Sequence, residues 1–199
     1  PAGGGTAFEA VNLLTPKRKN SFLADGTATV FSLDAKAIDD APLGVFVNGA
    51  AVASGYTVDR AAGSVTFASA PADSNGVDSV VISFSKTIAG NAQKIKKCRA
   101  AAVYGLGADS RIFLAGNPDA PNTDYMSGLF DPTYFPDTGY TKLGSEDSAI
   151  LGYLKQGESL VILKEERIRE TGLFVRTAEF AADGSVIFPV RECAGGVGA

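Results

Sequence analysis

The sequence predicts an all-β fold, a small antiparallel β-sandwich joined to a larger region of successive hairpins, and three observations carry that prediction. From Phe22 to Lys86 short runs alternate apolar and polar residues, with turn-forming residues between them. Within this span Val45-Phe46-Val47 leads into Asn48-Gly49 and out through Ala50-Ala51-Val52. Asn and Gly both tolerate the positive φ that a type I′ turn demands, so this is the strongest short-range hairpin signal in the chain. Nowhere does an apolar period of 3.6 residues persist over a full helix.

Taken in order, residues 1–6 are Gly-rich and are expected to be extended or mobile. Phe8, Val11, Leu13 and Leu14 then form an apolar patch too short to bury itself, which must pack on something later in the chain. Asp25-Gly26 marks a turn into a strand whose Thr27, Thr29, Phe31 and Leu33 share one side, opposite Ala28, Val30 and Ser32. The Ala-containing segment from Asp34 to Ala41 has room for one helical turn and no more. Tyr56-Thr57-Val58 and Ser64-Val65-Thr66-Phe67 form a hairpin across Asp59 to Gly63. Val80, Ile82 and Phe84 alternate with Val81, Ser83 and Ser85 in the last strand of the module.

Thr87 to Gln93 reads as a linker, Ile95 to Tyr104 as an Ala-rich strand, and Arg111 to Leu114 as the next strand. The stretch from Asp109 to Glu166 gathers prolines, carboxylates and most of the tyrosines. After its Pro-rich centre, Ala149 to Leu154 and Leu160 to Leu163 form a hairpin around Gln156-Gly157. Leu173 to Ala181 and Val186 to Val190 form another, closed by Asp183-Gly184. Successive antiparallel hairpins with one longer connection are what a sheet meander or a propeller blade produces. No repeat of 20–50 residues displays blades directly.

Composition excludes more than it assigns. A chain of 199 residues buries a real core without disulfides or metal. Its 18 basic and 22 acidic side chains leave a net charge of −4, against the clustered basic face of a nucleic-acid binder. Lys17-Arg18-Lys19 and the group Lys94, Lys96, Lys97 and Arg99 are the basic concentrations, and they read as solvated faces. With no histidine in the chain, the commonest general base and metal ligand is missing, and with it every Ser-His or Cys-His pair. Cys98 and Cys193 lack zinc-ligand spacing, and two lone buried thiols fit them better than a bridge. No apolar run approaches the roughly 18 residues of a membrane span, so membrane insertion is not expected. Pro1 without an initiator methionine and the Gly-rich end at 195–199 lead to the expectation of an excised portion of a longer chain.

Four residue sets merit weighing as sites. Asp131, Asp137, Glu146 and Asp147 offer the paired carboxylates that glycoside cleavage uses, yet Asp131-Pro132 and Pro136-Asp137-Thr138-Gly139 are good turn chemistry and explain them better. Asn117, Asp119, Asn122 and Asp124 alternate oxygens as a calcium loop does, without EF-hand spacing, and Asx capping is the simpler account. Gly105-Leu106-Gly107-Ala108 lacks the third glycine and the helix of a dinucleotide fingerprint. Tyr125, Phe130, Tyr134, Phe135 and Tyr140 are the interaction candidates, because aromatics bring large area with few torsions to freeze. The alternative is that they turn inward and give a long loop its own core. No catalytic residue, metal ligand or cofactor site is assigned.

Two stretches carry a resemblance. Phe22-Leu23-Ala24-Asp25-Gly26-Thr27, the Val45 to Gly49 hairpin, Tyr56-Thr57-Val58-Asp59, Gly63-Ser64-Val65-Thr66-Phe67 and the strand from Val80 to Phe84 resemble a small β-sandwich of phage tail, baseplate and fibre proteins. The stretch FLAGNPDAPNTDYMSGLFDPTYFPDTGY and the later GSEDSAILGYLKQGESLVILKEE are similar to virion-associated proteins of phages and prophages of gut bacteria. The resemblance implies a β-propeller-like region, residues 1–22 plus 91–199, with the sandwich, residues 23–90, inserted in it or attached to it. The fuller proteins of that kind continue beyond Phe188-Pro189-Val190, so the propeller-like region is expected to be partial. The function implied is that of a structural component of a phage or prophage virion (tail, neck or baseplate), made in the bacterial host cytoplasm. It would act by protein–protein contact with other virion proteins or copies of itself, without enzymatic turnover. Carbohydrate or host-receptor binding through the aromatic centre is the alternative, and glycan cleavage a more distant one.

Overall fold

The described residues, 6–73, 75–165 and 172–193 of a computed structural model, form antiparallel sheets and one short helix, an all-β fold with no sheet closed into a barrel. The readings made for residues 1–5 and 194–199 lie outside them. The chain divides into two units, Pro1–Val11 with Pro16–Ile88, and Asn12–Thr15 with Ala89–Ala199.

The first unit contains β1 (Thr6–Phe8), β2 (Lys17–Leu23), β3 (Val30–Ser32), β4 (Gly44–Val47), β5 (Ala50–Ala51), β6 (Tyr56–Asp59), β7 (Ser64–Phe67) and β8 (Asp78–Ser85). Its five-stranded sheet runs β1-β2-β8-β4-β5 and its three-stranded sheet β3-β7-β6. Strand alternation puts Phe22 of β2, Val45 of β4, and Val80, Ile82 and Phe84 of β8 on the inner face of the first sheet. Phe31 of β3 with Val65 and Phe67 of β7 line the second, and all of them share one core. Phe31 meets Phe22 and Phe67 edge to face, with ring centroids 5.4 and 5.5 Å apart. The β4–β5 turn has Asn48 at φ 51° and Gly49 at φ 78°, the positive pair that Asn-Gly predicts.

Two expectations for this unit are corrected. The sandwich was expected to begin at residue 23, with residues 1–22 belonging to the other region. Instead β2 pairs along its whole length with β8, and β1 pairs with β2, so both strands complete the sandwich. The alternation of β2 is hidden in sequence because one inward position is Asn20. That side chain is fully buried, accepting a hydrogen bond from the Asp34 amide at 3.0 Å and donating one to the Lys19 carbonyl. Arg18 adds an ion pair to Asp34 at 2.7 Å.

The helical turn for which Asp34 to Ala41 has room does not form. The amides of Ala37 and Ile38 bond to the carbonyls of Ala61 and Arg60, that of Asp39 bonds to Ser85, and the Arg60 guanidinium holds the Asp39 and Ala41 carbonyls. Those tertiary bonds take the groups a helical turn would have used. Gly63 sits under this segment at φ 69°, where an added Cβ would lie 1.9 Å from the Ala35 carbonyl oxygen. Gly63→Ala is therefore expected to lower unfolding free energy by at least about 2 kcal/mol, read from urea denaturation. Gly49→Ala, with no neighbour within 4 Å, meets only the φ penalty and is expected to cost less.

The second unit opens with α1 (Asn91–Lys96), and here the Ala-rich strand predicted over Ile95 to Tyr104 is corrected. Ile95 is the buried residue of this helix, packed with Leu13, Tyr125 and Phe135, while the strand itself starts only at Ala100. Asn117 donates from its amide to the Gln93 and Lys94 carbonyls, and Lys94 and Lys96 stand in the last turn, where positive charge is favourable.

Two four-stranded meanders follow. The first is β9 (Ala100–Leu106), β10 (Asp109–Ala115), β11 (Thr123–Met126) and β12 (Tyr140–Lys142), paired in chain order. The second is β13 (Ile150–Gln156), β14 (Ser159–Lys164), β15 (Leu173–Arg176) and β18 (Val190–Glu192). Between its last two strands the hairpin β16 (Glu179–Phe180) and β17 (Val186–Ile187) turns at Gly184, φ 81°. The single hairpin expected from Leu173 to Val190 is thus two nested ones, because β15 pairs with β18 rather than with β17. Cys98 and Cys193 are not bridged to each other, and each is partly buried rather than fully so.

Candidate functional site

The Pro-rich centre is built from tight turns that use their own side chains. Isolated bridges close Asn117 on Ala120 and Gly128 on Asp131. Asn117 Oδ1 accepts from the Asp119 amide, and Asp131 Oδ1 accepts from both the amide and the hydroxyl of Thr133. Asn12, placed far earlier in the chain, ties this centre down. Its amide donates to the Thr133 carbonyl at 3.0 Å, and its Oδ1 accepts from the Phe135 amide at 3.1 Å. Leu13 thereby reaches the core that the early apolar patch required.

The five aromatic candidates do not form one surface. Tyr125 and Phe135 are buried with Leu13 and Ile95, as the inward alternative holds. Tyr134 is half-buried, its ring lying where a Cβ on Gly128 would come within 2.5 Å of it. Phe130 is 76% exposed, and Tyr140, on the strand β12, is 50% exposed. Tyr140 borders two clefts, one of about 380 Å³ with Lys94, Asp137 and Lys142, the other of about 250 Å³ with Arg111, Phe113 and Phe188.

Most members of the two oxygen-bearing candidate sets are committed to structure. In the calcium-like series, Asn122 donates to the Gly144 carbonyl, Asp119 pairs with Lys97 at 2.5 Å, and Asp124 is taken up by an arginine. Of the four carboxylates weighed for glycoside cleavage, Glu146 pairs with Lys142, Asp147 accepts from the Ser145 hydroxyl, and Asp131 caps its own turn. Asp137 is exposed at the larger cleft.

The strongest electrostatic feature was not legible in the sequence. Asp124 of β11 and Arg176 of β15 form an ion pair at 2.8 Å with both side chains 1% exposed, linking the two meanders. The guanidinium also donates to the Thr141 hydroxyl and lies 4.4 Å from the centroid of the Phe113 ring, a cation–π contact. Burial pushes the Asp124 carboxyl up to about 6, opposed by Arg176 and by the Tyr153 hydroxyl. Burial and the nearby Asp124 likewise raise the Cys98 thiol to about 11 and move Tyr153 upward. A perturbed carboxylate in a cleft marks a catalytic candidate, but this one is sealed from solvent and spent on its partner. A second buried cation, Lys164 of β14, donates to the Leu143 and Ser145 carbonyls and so pins the loop after β12.

The Asp124 value gives a pH prediction. Its folded value lies above the 3.8 of an ordinary aspartate, so the stability it contributes is full below about pH 4 and is lost as pH rises through about 6. Carbon-detected NMR titration is expected to place the Asp124 midpoint near pH 6. A midpoint below 4 would mean that Arg176 outweighs burial.

Compared with known proteins, the chain matches no family model, no curated protein and no solved structure.

Proposed function

We propose that this chain is a structural component of a phage or prophage virion, of the tail, neck or baseplate, and acts by contact with other proteins rather than by turnover. The observation that carries the reading is the pair of free edge strands in the second unit. β9 and β13 are the first strands of their meanders and lie beside each other, and each is paired on one edge alone among the described residues. They present Val103 at 66%, Leu151 at 64% and Leu154 at 56% exposure. Natural sheets blunt such edges with charge or cover them, so an apolar edge of this kind fits a surface that is covered on assembly.

Two meanders with their first strands side by side also suit the partial propeller that the resemblance implies. The carboxylates' engagement with lysine, arginine and their own turns supports a role without catalysis. The partners are other virion proteins and copies of the chain, and the place of action is the particle, after synthesis in the host cytoplasm. Mass spectrometry of gradient-purified particles is expected to find the chain at a fixed ratio to the other particle proteins. Its presence only in the soluble lysate would overturn the reading.

A further inference from the structure

We infer that the cleft beside Tyr140 is a binding site for a carboxylated sugar residue, such as a hexuronate in a surface polysaccharide. Its volume of about 380 Å³ lies within the usual range for small-ligand sites, about 300–1,000 Å³. Three features of the wall set the chemistry. The half-exposed ring of Tyr140 offers a flat apolar face of the kind that stacks on the C–H face of a pyranose. Asp137 and Thr123 bring oxygen atoms, the acceptor type that ring hydroxyls seek, to the wall. Lys94 and Lys142 bring two ammonium groups to one cleft.

The lysines decide for an acidic ligand. Lys94 is exposed on α1 and forms no ion pair among the described residues. Lys142 pairs with Glu146 at 2.7 Å, but the two side chains are 55% and 79% exposed, and such a pair exchanges readily for a ligand carboxylate. The same wall argues against phosphate. Asp137 would repel a dianion, and among the described residues no arginine lines the cleft. A singly charged ligand rich in hydroxyls satisfies the cations and the acceptors together. This site is independent of the edge strands, so a virion protein without it, or a sugar-binding protein outside a virion, would each be recognisable.

The test is titration of the whole chain, by calorimetry or NMR shifts, with a glucuronate-containing disaccharide and with its neutral glucose counterpart. The acidic sugar is expected to bind at least about tenfold more tightly, since charge-assisted hydrogen bonds are roughly twice as strong as neutral ones. Lys94→Ala is expected to remove most of that preference. Tyr140→Ala is expected to weaken both sugars about tenfold while Tyr140→Phe retains them, with thermal unfolding unchanged in each. Equal affinity for the two sugars, no saturable binding of either, or an unaffected Tyr140→Ala variant would overturn the assignment.

Discussion

Arg176→Met is expected to destabilise the second unit by about 3–5 kcal/mol, the usual cost of leaving one member of a buried ion pair without the other. The guanidinium and the Asp124 carboxylate are each 1% exposed, so water cannot replace the lost partner without opening the space between β11 and β15. Methionine keeps much of the apolar stem but removes the guanidinium that lies over the Phe113 ring, so the ion pair and the cation–π contact are lost together. Adding Asp124→Leu to Arg176→Met is expected to recover most of the loss, because no charge then remains buried. Urea denaturation followed by far-UV circular dichroism measures both. A double variant no more stable than the single one would show that the pair stabilises by geometry that apolar side chains do not replace.

The largest effect in the first unit is expected from Phe31→Ala, at about 3–5 kcal/mol. Phe31 is fully buried and touches Phe22 from one sheet and Phe67 from its own, so its removal opens a cavity in the centre of the sandwich. Its chain neighbour gives the control. Val30 is 42% exposed on the other side of β3, and Val30→Ala is expected to fall within about 0.5 kcal/mol of the parent. Amide exchange at β7 and β8 reads the difference directly, since both strands border that core.

These two sites also show which parts of the fold were legible beforehand. Phe31 was placed correctly because inward and outward residues alternate within a few positions, as do Val80, Ile82 and Phe84 on β8. The Asn48-Gly49 turn was legible for the same local reason. β2 was missed because one of its inward positions is an asparagine, satisfied by an Asp34 amide that only the fold brings near. The short helix α1 was divided between a linker ending at Gln93 and a strand beginning at Ile95, because its six residues hold fewer than two turns, too few to display a period. Asp124 was weighed as a loop oxygen since its partner lies 52 residues further on, a distance across which no spacing rule operates.

The aromatic set was legible as residue types and not as a surface. Tyr125 and Tyr140 are paired across β11 and β12, yet one is buried and the other half-exposed, because the helix and Leu13 cover only the first. Tyr140 was among the residues singled out from the sequence, whereas Lys94 beside it counted only as charge and Lys142 carried no signal at all. What assembles the cleft is the packing of α1 and the Pro-rich turns around β12, which no single stretch of sequence encodes.

The proposal that this chain works by protein contact is tested most directly by lysine-directed cross-linking of intact, purified particles. Lys155 is exposed on β13 next to Leu154, at the apolar edge assigned to assembly. The account predicts that Lys155 links to another virion protein or to a second copy of the chain. Isotopic mixing of labelled and unlabelled particle preparations separates the second copy from links within one chain. A Lys155 that forms only links within its own chain, in particles that do contain the protein, would contradict the assembly role of that edge.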